Sequence, residues 1–172
     1  MADQKLTLSR RQALTLMGSG VIMPSAAFAQ DAREITWDDL IPPGTPYSEI
    51  IGEGEMDEAT DFWAPIYDEN GIKLNETLSG AYIRMPGFVI PFEMDAEGVT
   101  EFMLVPYVGA CIHTPPPPAN QLVMATAATP WPSDELWNPV WVTGTMQTQL
   151  QDTELGQTGY FIQVDEMEVY VW

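Results

Sequence analysis

The chain has 172 residues, with 25 acidic side chains against six basic ones, a net charge of −19, one cysteine and one histidine. A field of that sign repels nucleic acid and anionic lipid surfaces. A single cysteine excludes an intrachain disulfide, and one Cys with one His excludes a closed zinc site built from four such ligands.

The first 29 residues read as an export signal. Lys5, Arg10 and Arg11 form a basic start, residues 13–26 a moderately apolar core, and Ala27-Phe28-Ala29 an A-x-A cleavage site before Gln30. The apolar stretch is too short to span a bilayer. Ser9-Arg10-Arg11 followed by Leu14 resembles a twin-arginine signal, with Ala13 and Thr15 where Phe and Lys are usual. The expectation is a periplasmic protein with no membrane span after cleavage. Losing the signal removes three basic residues and one acidic one, which leaves Arg33, Lys73 and Arg84 as the only bases and a net charge of −21 over 143 residues. Such acidity reads as solubility rather than as a cation store, and the remaining length suits one domain with its own core.

Residues 30–80 read as an acidic, loop-rich extension. Ile35, Trp37 and Leu40 are apolar anchors ahead of the breakers Pro42, Pro43 and Gly44. Met56 to Trp63 has the composition for two helical turns, kept short by Gly52, Gly54 and Pro65, and Asp68 to Gly71 reads as a turn. Glu53, Glu55, Asp57, Glu58 and Asp61 lack the spacing of a calcium loop and read as a solvated surface.

From residue 81 to 172 the signal is β. Five apolar segments, 81–93, 99–107, 121–127, 140–150 and 159–172, are separated by turn residues such as Asp95 to Gly98, and the last is interrupted near Asp165 and Glu166. Five strands with irregular connections predict a mainly β domain, a small, partly open barrel of the OB type, with a two-sheet sandwich as the alternative. Trp131, Trp137, Trp141, Trp172, Tyr107, Tyr160, Phe161 and Tyr170 are assigned to packing, since base stacking also needs a positive groove. The segment Trp131 to Trp141 is expected to cover the end of the barrel that carries Cys111 and His113.

Residues 102–123, FMLVPYVGACIHTPPPPANQLV, carry the chemistry. If extended geometry persists past Gly109, Cys111 and His113 share a strand face with Cα atoms roughly 6.5–7 Å apart, within reach of one shared ion. Pro115 to Pro118 cannot continue a central strand and are expected to form a stiff polyproline II segment. A thiolate and an imidazole suit zinc or Cu(I), with remaining ligands drawn from carboxylates, Met103 or Met124, water or a second protein. The same prolines, with Asn120 and Gln121, offer a docking edge for the periplasmic face of a membrane transporter. A Cys/His nucleophile is the third reading, and no hydrolase signature surrounds Cys111, so a non-enzymatic role is expected.

The block Gly109-Ala110-Cys111-Ile112-His113-x-Pro115 to Pro118-x-Asn120-Gln121 resembles the signature of DUF3299, a family of exported bacterial proteins of unknown function. ITWDDLIPP from Ile35, IRMPGFVIPFE from Ile83 and PVWVTG from Pro139 resemble the family in the same order. The resemblance implies a place beside ABC-type export or metal-handling systems.

Overall fold

A computed structural model describes residues 31–57, 62–92, 94, 96–110, 115–153 and 155–171. Eight strands appear: β1 Arg33–Glu34, β2 Ile50–Asp57, β3 Phe62–Tyr67, β4 Tyr82–Pro91, β5 Val99–Val105, β6 Val123–Trp131, β7 Val140–Thr153 and β8 Gly156–Val169. The five segments predicted after residue 80 are β4 to β8. They close into a mixed barrel: β4 pairs with β5, β5 with β6, β6 with β8 in parallel, β8 with β7, and β7 back onto β4. That order and the parallel β6–β8 pair are those of an OB-type barrel.

Closure depends on β4 dividing itself between two neighbours. Tyr82 to Gly87 pair with β7, whereas Phe88 to Pro91 pair with β5. The change of partner falls at Gly87, where an added Cβ would sit 2.7 Å from Leu104 Cγ. The bend therefore needs a residue without a side chain. Ile83, Met85 and Val89 alternate inward along β4 and meet Phe102, Leu104, Val123, Val142, Tyr160 and Ile162 in one buried core. From Phe102 to Val105, β5 is buried on both faces, which explains its unbroken apolar run FMLV. Phe102 and Leu104 point into the barrel, while Met103 and Val105 join Ile90, Ala110 and Leu122 in a second cluster.

The described residues between 31 and 80 wrap this barrel and share its core. Ile35, Leu40 and Leu78 are essentially fully buried in the same cluster as the barrel strands, and Trp37 packs against it with its indole N–H on Pro86 O at 2.8 Å. β1 adds a parallel edge to β4. Tyr160 fastens the wrap from inside: its hydroxyl donates to Leu40 O at 2.5 Å and accepts from Asn75 N–H at 2.7 Å. The amide of Asn75 in turn donates to Asp39 O at 2.7 Å.

Two expectations change. Met56 to Trp63 holds strand at both of its described ends: Met56 and Asp57 close β2, and Phe62 and Trp63 open β3, in an antiparallel pair with Met56 opposite Trp63. Cross-strand pairing satisfies the backbone that local helix propensity would have satisfied alone. The interruption near Asp165 is a bulge inside a continuous β8. Thr143 faces Glu166 and Gly144 faces Val164, so Asp165 is the extra residue. Of the aromatic residues, Phe102, Tyr160 and Trp131 are buried, while Trp137 is exposed. Trp141 lies under the Arg84 guanidinium, 4.5 Å from ring centroid to carbon, and Arg84 also reaches Glu168 at 2.6 Å.

Candidate functional site

Cys111 and His113 lie in the segment 111–114, outside the described residues. After β5, Pro106 to Gly109 turn, with Ala110 N–H directed at Tyr107 O at 3.4 Å, and Ala110 is fully buried against Ile90, Met103, Val105 and Leu122. On the far side, Pro116 and Pro117 are buried and Pro118 has φ −63° and ψ 160°, the polyproline II region, before one turn of 3-10 helix over Ala119–Gln121.

Asn120 and Gln121 turn toward the protein. The Asn120 amide nitrogen donates to Asn70 O at 2.8 Å and Lys73 O at 3.2 Å, and the Gln121 amide donates to Trp37 O at 2.9 Å. Both therefore hold the N-terminal wrap to the proline segment. The Asn120 side-chain carbonyl is buried without a hydrogen-bond partner among the described residues, although the residue is only 1% exposed.

Asn120 lines a cleft of about 480 Å³, open to solvent on one side. One wall is the segment entering β2 and the end of β3, with Tyr47, Ser48, Glu49, Ile50 and Tyr67; the other is Pro106 and Tyr107 after β5, with Pro117, Pro118 and Gln121; Ile41 completes the lining. Prolines and the tertiary fold place three tyrosines here from three separate stretches. The Tyr67 hydroxyl donates to Pro116 O at 3.0 Å, and the Tyr47 hydroxyl donates to the Asp38 carboxylate. That hydrogen bond, followed by burial and the Asp38 charge, raises the Tyr47 phenol above its ordinary pKa. Ser48 donates to Asp68 at 3.0 Å. Burial works against ionisation of Asp68. The Ser48 hydroxyl, the Asn70 and Glu49 backbone and the Asn70 amide outweigh it and hold the carboxyl below its usual range.

Among the described residues, no basic side chain lines the cleft. Arg33 lies near Asp39 at 3.8 Å, Lys73 near Glu69 at 3.3 Å and Arg84 near Glu168 at 2.6 Å. The proline segment also walls a smaller cavity of about 270 Å³ with Pro65, Asp68, Ile72 and Gln157. Leu136 and Trp137, from the segment Trp131 to Trp141, share a further small cavity with Val108 and Gly109; whether that segment covers Cys111 and His113 lies outside the described residues.

Among the described residues no group of three or more His, Cys, Asp or Glu side chains is placed to hold a metal ion. Nor is any described helix long and apolar enough to cross a membrane. The tyrosine cleft was not visible in the sequence as a site, because its parts are far apart. Its one local signal is a tyrosine beside or near a proline in each stretch: Pro46-Tyr47, Pro65-x-Tyr67 and Pro106-Tyr107.

A family described as proteins of unknown function (DUF3299) matches residues 37–169. The crystal structure of a DUF3299 family protein from Pseudomonas aeruginosa PAO1 matches with a TM-score of 0.68 and 33% sequence identity, covering 83% of this chain and 99% of that one. Among curated proteins, none matches.

Proposed function

The chain belongs to the DUF3299 family, and from that premise we propose an exported, non-catalytic accessory protein that holds a soft metal ion, zinc or Cu(I), through Cys111 and His113 beside the tyrosine cleft. One observation carries the reading: the chain that leads into the segment 111–114 and the chain that leaves it line the same cleft, through Pro106 and Tyr107 before it and Pro117 and Pro118 after it. Covalent reach keeps Cys111 next to buried Ala110 and His113 two residues from Pro115. The only thiol and the only imidazole of the protein are thereby tethered at one place. Two protein ligands leave coordination positions for water, a carboxylate or a donor from a second protein. A site so incomplete suits passing an ion on better than storing it, and the signal-like pattern of residues 1–29 supports a reading in which that exchange takes place in the periplasm, alongside a membrane transport system.

The test is elemental mass spectrometry on mature protein purified reduced, beside Cys111→Ser and His113→Ala. The expected result is near-stoichiometric zinc or copper, lost in both variants. Protein that takes up neither metal under conditions where a chelator of known affinity does would overturn the reading. A second reading is a docking edge for a transporter, made of Pro115, Pro116, Pro117, Pro118, Asn120 and Gln121. The position of Pro117 and Pro118 on the cleft wall favours it. Replacing Pro117 and Pro118 separates the two: partner binding lost with metal uptake intact favours docking.

A further inference from the structure

We infer that the Asn70-Gly71 pair is a covalent modification site, a deamidation site held closed by the contact between the turn at residues 69–72 and the proline segment. Of the four asparagines in the chain, Asn70 alone precedes a glycine; Asn75 precedes Glu76, Asn120 precedes Gln121 and Asn138 precedes Pro139. The reaction needs the backbone nitrogen of the following residue. Having given its proton to solvent base, the Gly71 nitrogen attacks the Asn70 side-chain carbon; a C–N bond forms, the bond to the amide nitrogen breaks and ammonia leaves. One water then opens the resulting cyclic imide at either carbonyl and gives aspartate or isoaspartate. Glycine favours the closure because it sets no side chain beside the ring and leaves the backbone free to turn, whereas proline has no N–H to lose.

Packing explains why so labile a pair stands here. A Cβ on Gly71 would lie 3.0 Å from Pro118 Cβ, 3.0 Å from Ser48 Oγ and 3.2 Å from Tyr67 Cβ, so the close approach of the proline segment favours a residue without a side chain. The same turn keeps the reaction shut. The Gly71 N–H donates to Asp68 O at 3.1 Å, the Asn70 amide nitrogen donates to Asp68 Oδ2 at 3.1 Å, and Asn70 Oδ1 accepts from Lys73 Nζ at 2.8 Å. Nucleophile and electrophile are each committed elsewhere, so attack requires the turn to open. Asn70 O accepts from Asn120 Nδ2 at 2.8 Å and from Lys73 N–H at 3.2 Å, which ties that opening to release of the proline segment.

Once formed, the product cannot close the turn again. Aspartate at position 70 sets a second carboxylate against Asp68 where an N–H donor had been, and like charges repel. Isoaspartate carries the main chain through the former side chain, adds a methylene to the backbone and turns the old main-chain carbonyl into a free carboxylate. The bonds from Gly71 N–H to Asp68 O and from Lys73 N–H and Asn120 to Asn70 O then lose their geometry. Deamidation thus undoes irreversibly a latch between the wrap and the barrel. No group involved belongs to the segment 111–114, and failure of the metal reading leaves this inference standing.

The mature protein, its Asp68→Ala and Lys73→Ala variants, and the peptide Ac-Tyr-Asp-Glu-Asn-Gly-Ile-Lys-NH2, a copy of residues 67–73, are incubated together at mildly alkaline pH. Conversion at Asn70 is followed by peptide mass spectrometry and by isoaspartyl methyltransferase labelling. The expected result is conversion at least about tenfold slower in the protein than in the peptide, as for any reaction that must wait for local opening, and about fivefold faster in Asp68→Ala than in the parent. Lys73 is exposed, so its replacement leaves the fold intact and should quicken conversion about twofold, the effect of one surface contact. Converted protein, made in urea and refolded beside an unreacted control, should be cut by thermolysin within residues 31–80 about threefold faster or more, since cleavage follows the open population. Conversion of the folded protein at the peptide's rate, a rate unmoved in both variants, or converted protein as resistant as the control would each overturn the inference.

Discussion

Tyr160 shows how one hydroxyl joins two parts of the chain. It rises from β8, passes through the barrel core and ends between Leu40 O and Asn75 N–H, so the phenol is both donor and acceptor at a fully buried position. Tyr160→Phe keeps the ring and orphans both backbone groups. The expected loss is about 1–3 kcal/mol in urea denaturation, the usual cost of leaving a buried group unmatched. Burial also pushes the Tyr160 phenol up to about 12, against the Asn75 hydrogen bond, which acts to lower it. The unfolded chain releases that proton near its ordinary value of about 10. Stability from this group is therefore whole below pH 10 and is lost as pH rises toward 12. Tyr82, raised by burial first and then by Asp165, acts in the same direction. Stability measured from pH 9 to 12 should fall less steeply in Tyr160→Phe than in the parent, and an unchanged slope would rule out this role.

At the scale of elements, the β7–β8 pair is shaped by one bulge. Asp165 has no partner across the strand, and the chain tightens beside it until a Cβ on Gly144 would lie 2.0 Å from Gln163 O. Backbone cannot yield as a flexible side chain can. Gly144→Ala should therefore destabilise by about 3 kcal/mol, the range for overpacking against fixed atoms, read as a shift in the urea midpoint. The five barrel strands were legible because each has a long apolar run bounded by Gly, Pro or Asp. β2 and β3 were not, for a physical reason: Gly52, Glu53, Gly54 and Glu55 carry neither the alternation nor the branched side chains of a strand. What makes them strands is each other, through pairs such as Ile50 with Tyr67 and Glu55 with Ala64.

For the whole molecule, the wrap and the barrel bury one surface between them. Leu40 and Leu78 lie in residues 31–80 yet are fully buried against barrel side chains. Leu40→Ala should cost about 2–5 kcal/mol, as deletions in a packed core do. If the described residues fold as one unit, near-UV and far-UV circular dichroism should lose signal together in that variant, in a single transition. Two separated transitions would mean that the wrap unfolds from a barrel able to stand without it.

Composition, alternation and breakers determined a mainly β chain, the five barrel strands and the apolar anchors Ile35, Trp37 and Leu40. These depend on burial of the side chains nearby in sequence, and a pattern read along the chain records that directly. The order of the strands, the sharing of β4 between β5 and β7 at Gly87, and the meeting of Tyr47, Tyr67 and Tyr107 around Asn120 depend on residues tens of positions apart. No local preference encodes such distances, so only the closure of the barrel and the packing of the wrap onto it decided that a cleft would form there, and which side chains would line it.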